Sequence, residues 1–133
     1  MTEVCVGLGW DTTCDIDSSV LSFSPDGNCV ENVYYGHKIA SDGSIVHSGD
    51  NTTGFGSGDD EVITILLNKL PPSVQVVWAA ITIFSGSYQF DDVKGAYCRL
   101  FDKQTKKEFC RFNLSKNKDG VSTGNIMCSI TRC

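Results

Sequence analysis

Residues 49–61, GDNTTGFGSGDDE, set the carboxylates of Asp50, Asp59, Asp60 and Glu61 beside the amide and hydroxyl oxygens of Asn51, Thr52 and Thr53. Gly54, Gly56 and Gly58 loosen the backbone that carries them, and the segment contains neither Lys nor Arg. Carboxylates, amides and accessible carbonyls without a competing cation suit a hard divalent ion, because Ca²⁺ takes about six to eight oxygens in a flexible shell. The same residue types also make ordinary solvated turns, so composition alone leaves both readings open.

Two other uses of a Gly-rich acidic loop fail on chemistry. A phosphate cradle needs Lys followed by Ser or Thr after its last Gly, whereas here Asp59 and Asp60 would repel phosphate. An EF-hand loop from Asp50 to Glu61 would put Phe55 at its sixth position, where the sharp turn requires Gly. Its flanks, SIVHS and VITILL, read as strands instead of helices. A second acidic pair, Asp15 and Asp17, brackets Ile16, and in an extended segment the alternation puts both aspartates on one face.

The chain has 133 residues, 41% of them hydrophobic, enough for one domain spanning 1–133 with its own core. Its net charge of -5 is unevenly spread. Up to Glu61 eleven acids face only Lys38, a balance of -10, and the remainder carries +5. The acidic excess sits in the half that holds the Gly-rich loop, and it favours cations over nucleic acid. Seven cysteines at positions 5, 14, 29, 98, 110, 128 and 133 form no CxxC pair. With an odd count and no secretory leader at MTEVCVGLGWD, reduced thiols in a cytoplasmic protein are expected, several of them as small core residues. No apolar run approaches the roughly 18 residues that cross a bilayer.

The elements that must position the loop read as strands. Val4 to Leu8 is a short apolar start, and Val20 to Phe23 continues from DIDSS. Asp26-Gly27 and Asp42-Gly43 are hairpin turns, leading into Cys29 to Tyr35 and into Ile45-Val46. His37 and His47 are read as satisfied single histidines. EVITILLNKL precedes a break at PPS, and Val74 to Phe84 is apolar enough to predict a strand buried on both faces, with Trp78 in the core and a helix through Trp78 to Ala80 as the alternative. GAYCRLFD and EFCRFNL flank DKQTKK as a hairpin with a basic tip, and Ile126 to Thr131 is a last strand. Eight or nine strands without an amphipathic helix predict an all-β fold, a β-sandwich of two mainly antiparallel sheets.

GLGWD at Gly7 to Asp11, DIDSSV at Asp15 to Val20, SDGSIVHSGDN at Ser41 to Asn51, TGFGSGDDEVI at Thr53 to Ile63 and RFNLS at Arg111 to Ser115 resemble, in order and spacing, the TerD domain of tellurium-resistance and stress-response proteins. The resemblance implies a calcium-binding β-sandwich without catalytic activity. It places a calcium site on Asp50, Asn51, Thr53, Gly54, Asp59, Asp60 and Glu61, with Asp15 and Asp17 contributing from the neighbouring motif. Phe55 and Ser57 stand where the family loop has acids, which implies weaker binding or the loss of one ion. The family also has an opening strand before GLGWD, for which MTEV leaves little room, and it runs on beyond Cys133. Missing terminal strands would expose a sheet edge to self-association or to a protein partner.

The function expected from this resemblance is a non-enzymatic calcium-binding module of a stress-response system. The alternative is calcium-dependent binding of a small ligand such as a cyclic nucleotide, with the ion bridging an anion to a loop that has no base. A calcium-dependent membrane contact through Phe55 is a third class, without stable insertion. HExxH and GxSxG are both absent, and no histidine sits beside a nucleophile in sequence, so no enzyme is expected.

Overall fold

A computed structural model describes residues 3–10, 16–48, 59–83, 96–113 and 124–132. Among them nine strands occur in chain order: β1 Glu3–Gly9, β2 Ile16–Phe23, β3 Cys29–Val33, β4 Ile45–His47, β5 Glu61–Leu66, β6 Val76–Ile83, β7 Tyr97–Asp102, β8 Glu108–Asn113 and β9 Gly124–Thr131. They form a five-stranded sheet, β4-β5-β1-β7-β8, and a four-stranded sheet, β3-β2-β6-β9. Every pairing between named strands is antiparallel, including those between strands far apart in the chain such as β1–β7 and β2–β6.

Alternation along each strand builds the layer between the sheets. β5 reads inward through Glu61, Ile63 and Ile65, and β1 through Val4, Val6 and Leu8. From the other sheet Val20, Val77 and Ala79 meet them, with Val33 and Ile45 at the sides. A second cluster of Leu8, Trp10, Ile16, Ile81 and Ala96 fills the end of the sandwich nearest the acidic loop.

The hairpins follow their turn residues. Gly27 and Gly43 adopt φ of 87° and 76°, the left-handed region that the Asp-Gly signals call for. The EVITILLNKL segment is a strand only to Leu66, after which Leu67–Lys69 makes a 3₁₀ turn.

One sequence expectation is corrected. β6 is buried on one face, not two: Val77, Ala79 and Ile81 point inward, while Trp78 lies on the outer face, 36% exposed and packed on Phe23 at 4.7 Å between ring centroids. Its apolar character exceeds what one-sided burial demands because the outer face keeps an aromatic pair of its own. The segment around GLG is itself a strand. Glu3–Gly9 lies centrally in its sheet, hydrogen-bonded to β5 on one side and β7 on the other.

Candidate functional site

Asp59, Asp60 and Glu61 enter β5 from the acidic loop, and the fold sends their carboxylates to three different places. The loop stem is closed by Ser48, whose N–H donates to the Val62 carbonyl at 2.8 Å while its hydroxyl accepts from Val62 N–H at 3.0 Å. Asp60 N–H then donates to the Leu8 carbonyl at 2.7 Å, docking the stem on β1.

Asp59 lies on the outer face of the five-stranded sheet. Arg99 on β7 donates to it through Nε, 3.0 Å from Oδ1, and through Nη2, 2.6 Å from Oδ2. The Tyr97 hydroxyl donates to Oδ1 at 2.9 Å. This forked geometry is the strong form of an Arg–carboxylate pair. The hydrogen bond to Asp59 raises the Arg99 pKa, and Tyr97 is pushed up to about 12, first by burial and then by Asp59. Two glycines make the space. A Cβ on Gly7 would lie 2.7 Å from the Asp59 carboxyl carbon, and one on Gly9 would lie 2.6 Å from the Tyr97 ring.

Glu61 takes the opposite course, into the sandwich, where its side chain is 0% exposed. Its Oε1 accepts from Ser18 N–H at 3.1 Å and from the Ser18 hydroxyl at 2.9 Å, and lies 3.3 Å from His47 Nε2. One buried carboxylate thereby joins β5 and β4 of one sheet to β2 of the other. Asp60 sits between these two directions, its Oδ2 accepting from Trp10 N–H at 2.9 Å.

Asp17 is 3% exposed and lies on the face of β2 away from Ser18, since it stands opposite Thr82 while Ser18 stands opposite the fully buried Ile81. A cavity of about 260 Å³ there is lined by Asp17, Ser18, Ser19, Asn32, Tyr34, Tyr35 and Thr82. Asp17 and Glu61 therefore lie on opposite faces of β2 and are not brought together. Asp15, Asp50, Asn51, Thr53 and Gly54 lie outside the described residues. Among the described residues no three His, Cys, Asp or Glu side chains are grouped to hold a metal.

Sequence reasoning found the acids and missed their partners. The loop itself has no cation, but Arg99, thirty-eight residues beyond Glu61, supplies one. Tyr97, Arg99, Ser18 and His47 carry no local signal of this role. The period-two spacing of Gly7 and Gly9 inside an apolar strand was the one available hint of a close approach. The histidines are satisfied as expected, His47 by Glu61 and His37 by Glu31 at 3.1 Å.

A two-sheet β-sandwich whose acidic loop is pinned on both sides of one sheet defines the class of this protein. The TerD domain family model matches residues 1–133, and the chain belongs to that family. It is 33% identical to tellurium resistance protein TerZ of Serratia marcescens, covering 99% of this chain and 74% of that protein. It is 35% identical to general stress protein 16U of Bacillus subtilis, covering 88% of this chain and 67% of that protein. Among solved structures, a homologue of telluride resistance protein (TerD) from Streptomyces coelicolor superimposes with a TM-score of 0.87 at 25% identity, over 100% of this chain and 82% of that one. No helix among the described residues is long and apolar enough to cross a membrane.

Proposed function

We propose that this chain is a non-enzymatic calcium-binding module of a tellurium-resistance or general stress-response system, in which the three consecutive acids divide the work. Asp59 and Glu61 anchor the loop to the two faces of its sheet. Asp60, with Asp50, Asn51, Thr53 and Gly54 of the loop and Asp15 of the preceding motif, supplies oxygens to the ion, whereas Asp17 faces the other side of β2.

The observation that carries this reading is the divergence of the trio. Both oxygens of Asp59 accept from Arg99, so that carboxylate is neutralised by the protein. Glu61 is enclosed between the sheets with Ser18 and His47. Asp60, which stands at the loop stem between the other two, accepts a backbone N–H from Trp10 and is only half-buried, is the member of the three best suited to a cation. The donors are oxygens throughout, which fits a hard ion of flexible coordination such as Ca²⁺. The ion would offset carboxylate repulsion and couple loop order to calcium concentration, presenting a surface to a protein partner.

Isothermal calorimetry of chelator-treated protein with Ca²⁺, and Mg²⁺ as control, tests the proposal alongside a thermal melt. Saturable calcium binding with a raised melting temperature is expected, because a ligand at a hundredfold its Kd stabilises by about 2.7 kcal/mol. Asp60→Asn should weaken affinity at least tenfold, on the order of 1.4 kcal/mol. No heat and no shift in melting would overturn calcium binding. Unchanged affinity in an Asp50→Asn, Asp60→Asn double variant would overturn this location.

A further inference from the structure

At the side of the sandwich away from β3 and β4, three thiols from three strands converge. Cys98 on β7 is buried in the central cluster, with Cys128 of β9 and Leu100 packed against that cluster. Cys110 on β8 stands opposite Leu100, which places it on the same inward face, and Cys128 stands opposite the buried Ala79, which places it inward too. β8 and β9 are the last strands of their respective sheets. Cys110 and Cys128 therefore both point into the gap between the sheets from the edge strands on its open side, both partly exposed, while Cys98 is covered.

The three sulfurs are close enough to feel one another. Burial pushes the Cys98 thiol up to about 12, with Cys128 and Cys110 adding to the rise, and Cys128 is raised by burial and then by Cys110. Cys98 is thereby the least reactive of the three, since the thiolate is the nucleophile.

We infer that Cys110 and Cys128 are an oxidisable pair that closes a disulfide between the two sheets when the protein meets a peroxide. Cys110, on the more exposed strand, attacks one peroxide oxygen; the O–O bond breaks, the sulfur becomes a sulfenic acid and the other oxygen leaves as water. The Cys128 sulfur then attacks the sulfenic sulfur, the S–S bond forms and a second water departs with the Cys128 proton. Two thiols are oxidised by two electrons and one hydrogen peroxide is reduced to two waters. The bond staples β8 to β9, the two edges that only their inner neighbours hold among the described residues.

The test is titration of the whole chain with hydrogen peroxide, followed by thiol counting and peptide mapping with trypsin under non-reducing conditions. Loss of two thiols per chain is expected, with peptide 108–111 (EFCR) joined to peptide 119–132 (DGVSTGNIMCSITR). The oxidised protein should melt several degrees higher, and Cys110→Ser should abolish that rise. Cys128→Ser should leave a sulfenic acid on Cys110 that dimedone traps, and Cys98→Ala should leave the crosslink intact. A link from Cys110 to Cys98, to Cys133 or to a second chain would overturn the assignment. So would stepwise oxidation of Cys110 to sulfinic acid with Cys128 still reduced. An unchanged melting temperature in crosslinked protein would overturn the staple.

Discussion

Gly7 owes its place in β1 to Asp59, whose carboxyl carbon sits 2.7 Å from where a Gly7 Cβ would be. The missing side chain leaves a shallow seat on the outer face of the sheet, and the carboxylate fills it under the guanidinium of Arg99 and the hydroxyl of Tyr97. Gly9 does the same for the Tyr97 ring. A motif that looks like a turn signal in sequence is a pair of openings in a central strand.

Gly7→Ala should therefore destabilise the fold although alanine is ordinarily no worse than glycine in a strand. Overpacking against a carboxylate pinned by Arg99 and Tyr97 should cost about 1–3 kcal/mol. Urea denaturation measures it. A Gly7→Ala, Asp59→Ala double variant should recover most of the loss, since the three atoms nearest the added Cβ all belong to the Asp59 carboxylate.

The Asp59–Arg99 pair should show measurable coupling. The two side chains are 10% and 24% exposed, so solvent screening trims the fork but does not erase it. A double-mutant cycle with Asp59→Asn and Arg99→Gln is expected to return a coupling of about 1 kcal/mol that weakens little with salt. A coupling indistinguishable from zero would show that the anchor is only geometric.

Glu61→Leu should be more damaging than either. Leucine fills the space but leaves the Ser18 N–H and hydroxyl buried without their acceptor, a loss on the order of 2–4 kcal/mol. Combining it with Ser18→Ala removes one of the two stranded donors and should restore part of the stability. Equilibrium unfolding of the single and double variants decides this.

At alkaline pH stability should fall through a defined window. Tyr97 and Cys98 are each raised to about 12 in the folded protein, from 10.0 and 9.0 respectively, so the folded state keeps two protons that the unfolded chain has released. With more protons on the folded form, stability drops as pH rises. The contribution is complete below about pH 9 and is lost as pH climbs to about 12. Urea midpoints measured from pH 8 to 12 should decline, and Tyr97→Phe with Cys98→Ala should flatten the decline.

The sequence by itself determined the strands, the two Asp-Gly hairpins and the acid-rich loop, because these are written in local periodicity and turn chemistry. Its five ordered motifs also carried the family resemblance that the match over residues 1–133 bears out. Trp78 was misjudged for a local reason as well: strand hydrophobicity does not tell which face is covered. Only the tertiary structure decided what each acid does. Asp59 and Glu61 are two residues apart, yet one lies over Gly7 beside Arg99 and the other lies between the sheets beside Ser18 and His47. Their partners come from strands forty residues or more away in sequence in three of the four cases, Arg99, Gly7 and Ser18. Such pairings depend on strand order and register, which no window of neighbouring residues encodes.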